Sequence, residues 1–390
     1  MWISIEPLDV LMFRDSRPFT GGESHHARCI FPPLPLAFQG AVRSKYLADK
    51  GIDFNTYKGG KAPERVYKLI GEPGKSDSYG KLTIKGPFLF QKGKKEVYFT
   101  LPRDILEPSV MRPAKVLEEV KTDYKSFKEF YPLLGGQGEV KDYFMTIDGL
   151  LSYLEGKEKL DEEKDVAKRE DIYDREQRTG IKLGTHRIAE IGMFYIAEFI
   201  RLKENIGFLL EVEPEEVIVK EEGVLQLGGE SRAVYYRRCK EDGLEELVSE
   251  KKTEKIKEKI MKNGKFKIYL ATPAIFETGN HKAGWIPHFI DKNSLYCKDS
   301  EEIDRKRFKL VSAAVGKPLG IGGWDLARGC PKPMLKAVPA GSVYFFEFED
   351  KVDEATVDRL LEKYHFECIS SRDAQIGLGL SFVGVWDYYK

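Results

Sequence analysis

The chain has 390 residues, enough for two domains or one elaborate one with a full core in each. Its 63 basic residues balance its 63 acidic ones, which excludes a nucleic-acid binder carried by bulk charge but leaves local patches open. Five cysteines, at 29, 239, 297, 330 and 368, form no C-x-x-C pair, so neither a disulfide framework nor a zinc site is expected.

Charged residues make up 32%, while Asn (five) and Gln (six) are scarce, a bias that points to a heat-adapted organism. No signal-like opening and no long apolar run occur, so a soluble cytoplasmic protein without a membrane role is expected.

In chain order, Trp2–Phe13 reads as a first strand. Pro32, Pro33 and Pro35 then lead into a helix whose buried face is Phe38, Ala41, Val42 and Tyr46, with Gln39 and Arg43 neighbours on the opposite side. A hairpin is expected around a turn at Gln91–Lys94. Residues 155–178 hold ten acids and seven bases, read as a charged surface insertion. Beside it, "TGIKLG" and "MFYIAEFIRL" read as two arms of a ribbon near 179–202.

After Glu213 the pattern partly restarts, which sets two expected domains, 1–213 and 214–390. The second holds a strand, Gly-Gly, strand unit, a helix from about Leu244 to Lys262 and strands at "FKIYLATPAIF", "RFKLVSAAVG" and "SVYFFEFE". A helix capped by Asp353 follows, and a last strand is expected at "VGVWDYYK". Antiparallel strands mixed with few helices predict an α+β fold.

Three stretches carry candidate chemistry. "VGKPLGIGGWDLARGCPKPM" lacks the spacing of a phosphate loop, because Gly316-Lys317 is followed by proline. "GLGLSFVG", Gly377 to Gly384, cannot be a dinucleotide fingerprint, since the chain stops six residues later and leaves no room for the required helix. Its glycines permit close approach of another backbone, and with no Lys or Arg inside the loop, subunit docking is favoured over phosphate binding. Residues 303–336 hold eight bases (Arg305, Lys306, Arg307, Lys309, Lys317, Arg328, Lys332, Lys336) against Asp304 and Asp325, beside Trp324. Cations next to an aromatic platform suit single-stranded RNA, whose bases stack while phosphates are neutralised. Further cations cluster at Arg14, Arg17, Arg28 and Arg43, and on the ribbon at Arg178, Lys182, His186 and Arg187. His25 and His26 lie among arginines, and imidazole can serve as general acid or base near neutrality. Adjacent side chains of an extended segment point to opposite sides, so one of the two at most would reach a given phosphate. No metal-binding acidic cluster or H-E-x-x-H is present, and no cofactor is expected.

The stretches "PLDVLMFRDSRPFTGG", "FPPLPLAFQGAVRSKYL", "RTGIKLG…RIAEIGMFYIAEFIRL", "LQLGGESRAV", "ATPAIF…GWIP" and "VGKPLGIGGWDLARGCPKPMLKAVPAGSVYFF" together resemble the third-subunit family of the type III-B CRISPR effector, the Cmr complex. The closing "GLGLSFVGVW" is similar to the glycine-rich loop of the wider RAMP superfamily. The resemblance implies two RAMP modules of ferredoxin-like, RRM-related fold with the ribbon as an inserted thumb. It implies an RNA-binding subunit of a ribonucleoprotein used in antiviral defence, holding the 5′ repeat-derived handle of the CRISPR RNA. It also implies docking to the large polymerase-like subunit and to neighbouring RAMP backbone subunits. Carried over by motif are Arg14, Arg17, Gln39, Arg43 and the segment Gly320, Gly322, Gly323 and Trp324. Clustering on glycine-bearing loops adds His25, His26, Arg28, Lys182, His186, Arg187, Arg232, Lys317 and Arg328 as RNA contacts. Two rivals stand: an endoribonuclease that cuts precursor CRISPR RNA with His25 or His26, and a structural adaptor whose basic loops face protein.

Overall fold

The computed structural model describes residues 1–16, 26–75, 78–94, 96–106, 109–110, 112–113, 130–131, 133–134, 142–183, 189–239, 244, 249–278, 282–301, 303–326 and 328–387. Strand and helix are mixed along them, strand dominates, and two antiparallel sheets form the body. The first has eight strands, in the spatial order Val166–Lys168, Tyr143–Thr146, Glu96–Thr100, Thr83–Gln91, Ile206–Glu213, Trp2–Pro7, Ala233–Cys239, Glu222–Gln226. The second has five, Phe308–Ala314, Val343–Phe348, Lys265–Leu270, Leu380–Gly384 and Glu367–Cys368.

Alternation along the strands divides the apolar residues between two cores. Trp2, Phe88, Phe90, Val97 and Phe99 join the second sheet's core. Their neighbours Ile3, Leu89 and Tyr98 point the other way, into a core shared with helix α1, Pro35–Asp49. The central strands of the first sheet are therefore covered on both faces. In α1 the expected face of Phe38, Ala41, Val42 and Tyr46 is buried. Gln39, expected on the outer side, is buried as well.

Several expectations are corrected. The first strand ends at Pro7, and Leu11 and Arg14 then make only isolated bridges, to Ile200 and Cys29. Within the charged run, residues 157–159 and 161–164 are exposed, while Val166–Lys168 pairs with Tyr143–Thr146 in the first sheet, and Asp165 and Ile172 are buried. Charge there marks a strand at the sheet's edge, where side chains can reach water. The ribbon consequently starts earlier, with arms Tyr173–Leu183 and Ala189–Leu202. Strands Glu222–Gln226 and Ala233–Cys239 complete the first sheet, so the change of sheet falls after Cys239 and not at 213/214. The last strand is Leu380–Gly384, while Trp386 beyond it donates its indole N–H to the carbonyls of Phe266 and Phe346. Helix Glu354–Tyr364 has the expected cap, the Asp353 carboxylate accepting from the Thr356 amide at 2.9 Å.

The closing glycine loop belongs to the seam between the sheets. Gly377 has φ +98°, and a Cβ on it would stand 2.7 Å from the Gly86 carbonyl oxygen. All residues from Gly377 to Gly384 are buried within this chain, so the loop is not available to dock another subunit.

Candidate nucleic-acid interface

Helix α1 presents Gln39 and Arg43 one turn apart to a cleft of about 230 Å³. Its opposite wall is the segment 321–335 from the far end of the chain, and the turn at Glu72–Lys75 closes one side. A small apolar cluster seats that segment: Ile275, Ile321, Ala337 and Leu378 pack with Leu34 and Leu36 at the start of α1. Two short strands, Trp324–Asp325 and Cys330–Pro331, form a hairpin at the rim, and Trp324 is 58% exposed there. Gly323, at φ +146° with nothing near its Cβ position, lets the chain turn into the hairpin. Arg328 lies beside Gly74 across the cleft.

The Arg43 guanidinium donates to the Tyr57 hydroxyl at 2.5 Å, and that hydroxyl donates to the Gly71 carbonyl at 2.8 Å. Burial pushes the Tyr57 phenol up, and the charge of Arg43 beside it works in the opposite direction. No carboxylate pairs with Arg43 among the described residues. Tyr79 donates to the Asp373 carboxylate at 2.5 Å, and both residues line the cleft.

A second group of expected residues adjoins the cleft. The Ser16 hydroxyl donates to the Gly320 carbonyl at 2.8 Å, and a Cβ on Gly322 would lie 3.2 Å from that of Ser16. The backbone at Arg14 therefore runs beside the glycine segment, paired with Cys29. Along 26–29 exposure alternates: His26 and Arg28 face out, whereas Ala27 and Cys29 are buried. His26–Ala27 pairs in parallel with the ribbon, His26 standing opposite Ile196. Lys317 is exposed at the start of the glycine segment.

Other arginines are already engaged within the chain. Arg232 donates to Glu230 at 2.7 Å and stacks 4.8 Å over the Phe199 ring, with Asp9 at 3.8 Å. Arg178 and Arg201 share the Glu176 carboxylate at 2.7 and 2.8 Å. Hydrogen bonds from those two arginines hold Glu176 below the usual carboxylate range. The Val10 amide, with Arg201 and Arg178 further off, does the same for Asp9.

The fold thus gathers Gln39, Arg43, Gly322, Trp324 and Arg328 around one cleft, with Gly320, Gly323 and Arg14 next to it. Arg232 sits in the charge network at the ribbon's base. Arg17, His25, His186 and Arg187 lie outside the described residues, and for Lys182 only the backbone is described. Sequence reasoning missed Tyr57, Tyr79 and Arg372 as lining residues. No local motif marks them, because each reaches the cleft from a different connection. Among the described residues no three His, Cys, Asp or Glu side chains are placed to hold a metal ion, and no helix is long and apolar enough to cross a membrane.

A family model described as CRISPR-associated protein (Cas_Cmr3) matches residues 3–386. Among solved structures, a chain in a cryo-EM structure of type III-B Cmr-beta bound to cognate target RNA and AMPPnP aligns with TM-score 0.50 and 17% identity, covering 93% of this chain and 89% of that one. A chain of type III-B Cmr-beta bound to cognate target RNA aligns with TM-score 0.51 and 16% identity, over 97% of this chain and 95% of that one. At such identities the likeness speaks to fold alone. No match is found among curated protein sequences.

Proposed function

The chain belongs to the Cmr3 family of CRISPR-associated proteins, and on that footing we propose that it is a non-catalytic subunit of a type III-B effector that grips the 5′ handle of the CRISPR RNA. In this reading it works in the cytoplasm in antiviral defence, docked to the large polymerase-like subunit and flanked by RAMP backbone subunits. The observation that carries the reading is the union, in one cleft, of Gln39 and Arg43 from α1 with Gly322, Trp324 and Arg328 from the opposite end of the chain. A bent single strand needs this combination: cations for phosphate, an exposed indole for stacking and glycines where backbone meets backbone.

The fold supports two ferredoxin-like modules. Number the strands Trp2–Pro7, Thr83–Gln91, Ile206–Glu213 and Ala233–Cys239 one to four, and their order in the sheet is 4-1-3-2. Lys265–Leu270, Phe308–Ala314, Val343–Phe348 and Leu380–Gly384 repeat the same order. The ribbon, as a thumb, would bring Lys182, His186 and Arg187 to the RNA, while Arg14, Arg17, His25, His26, Arg28 and Lys317 extend the grip from the first loop and the glycine segment. Arg232 stands outside this contact set, its charge being answered by Glu230 and Asp9.

The test is to mix the full chain with 5′-labelled guide RNA, with and without its handle, and to follow binding and cleavage together. Handle-dependent binding without cleavage supports the reading. Equal binding of both RNAs overturns it, and cleavage lost in a His25→Ala/His26→Ala double variant would make the chain an endoribonuclease.

A further inference from the structure

One buried polar group beside the cleft is left unpaired by the fold. Gln39 is only 5% exposed, and its Nε2 has no hydrogen-bond partner among the described residues. It sits between Phe38 and Gly40 on the buried side of α1, at a position where leucine would fill the same space without an orphan donor. An unpaired buried amide is a standing cost to stability, because its hydrogen bonds to water have been lost and nothing replaces them. Such a group persists in a ligand site when the ligand supplies the missing partner. Gln39 lines the cleft, and so does Arg43, the half-buried cation whose hydrogen bond goes to a phenol and not to a carboxylate.

The surroundings narrow the ligand. About 230 Å³ lies below the roughly 300–1,000 Å³ pockets that enclose drug-sized ligands, a size suited to one base. Trp324 offers an exposed aromatic face at the rim, the Tyr57 ring being buried against Tyr67, and Leu36 adds apolar lining. A glutamine carboxamide pairs in two-point fashion with the N6 amine and N7 of adenine, Nε2 donating to N7 and Oε1 accepting from the amine.

We propose that the cleft takes a single adenine base, read by the Gln39 carboxamide, with its phosphate at Arg43 and the Trp324 indole at the mouth. This rests on the chain being a handle-binding subunit, in which case the base is one splayed out of the bound strand. A free adenine nucleotide carries the same edge, and the experiment separates the two sources.

Affinity of the full chain is measured for handle RNA, for a series with each handle nucleotide in turn made abasic, and for AMP alone. The same set is run on Gln39→Leu and Gln39→Glu, with melting temperatures. The expected result is one abasic position that weakens binding about tenfold or more. Gln39→Leu abolishes that position dependence while raising the melting temperature, because the orphan amide is gone. Gln39→Glu shifts preference at that position from adenine to cytosine, whose N4 amine a carboxylate can accept. AMP binding lost in Gln39→Leu, with no abasic effect, keeps the adenine site but assigns it to free nucleotide. Handle-dependent binding that is indifferent to every abasic position and to both variants, without AMP binding, overturns the site and leaves the handle reading intact. A lower melting temperature in Gln39→Leu with uniform loss of RNA affinity also overturns it, since that is the signature of a packing role. Loss of handle dependence with AMP binding retained would sink the handle reading and spare the site.

Discussion

The base of the ribbon and the α1 cleft are both rich in arginine, but they differ in what answers the charge. At the ribbon base Arg178, Arg201 and Arg232 meet Glu176, Asp9, Glu230 and the Phe199 ring, so each charge is answered by the chain itself, although the Arg232 Nε is left without a hydrogen-bond partner among the described residues. In the cleft Arg43 has only a phenol and Gln39 has no partner among the described residues. Arginine content therefore does not separate the two regions, whereas the presence or absence of a carboxylate partner does. The extreme of internal satisfaction is the seam between the sheets. There Asp104 and Lys267 are buried, Lys267 stands 3.2 Å over the Tyr153 ring, and Tyr153 donates to Asp104 at 2.8 Å. Burial raises the Asp104 carboxyl, with Lys267 and the Tyr153 hydroxyl working against it.

The sharpest way to break the contrast is at that seam. Lys267→Met leaves a buried carboxylate without its counter-charge and is expected to cost about 3–5 kcal/mol in urea unfolding. Adding Asp104→Asn should recover most of the loss. A loss under 1 kcal/mol in the single variant would mean that Lys267 does not support the fold.

Next in size is Arg43→Ala, which should weaken handle RNA about tenfold and reduce the slope of log affinity against log salt by about one, with stability little changed. An unaltered slope would remove Arg43 from the phosphate contacts.

Arg232→Ala should do the reverse. Losing its stacking on Phe199 and its ion pairs is expected to lower stability by about 1 kcal/mol, with the RNA salt slope unchanged. A slope reduced by one unit would erase the distinction between the two regions.

The smallest effect is a pH dependence. Glu176 and Asp9 have lowered pKa values when folded, so their contribution is fully present above the unfolded range near pH 4 and is lost as pH falls through the lower, folded values. Thermal midpoints of Glu176→Gln should therefore decline less steeply than the parent's below about pH 4. Parallel curves would show that the pair adds nothing.

Much of the fold could be read along the chain because it rests on local periodicity. The face of α1, the hairpin around residues 91–96, the strands of the second sheet and the Asp353 cap all follow from neighbours within a few residues. Misreadings arose where two segments compete for one signal. The charged run 155–178 has too few apolar residues to mark a strand, yet Val166–Lys168 needs only one neighbour to sit at an edge. The glycines at 377 and 379 suggested an outward loop, while their space is taken by the backbone of Ile84 and Gly86 and by Ser370. Gln39 falls on the outer side of α1 by helical spacing, yet it is buried in the folded chain.

Read alone, the amino-acid sequence showed where arginine, glycine and tryptophan concentrate and much of the strand and helix pattern, since composition and short-range pattern are properties of adjacent residues. Tertiary structure alone decided which of those residues lie together. Strands from both ends of the chain interleave in the same cores, and that packing brings Trp324 to Gln39 and leaves Arg232 facing Glu230. Long-range contact depends on how apolar surfaces find each other, and no spacing between neighbours records it.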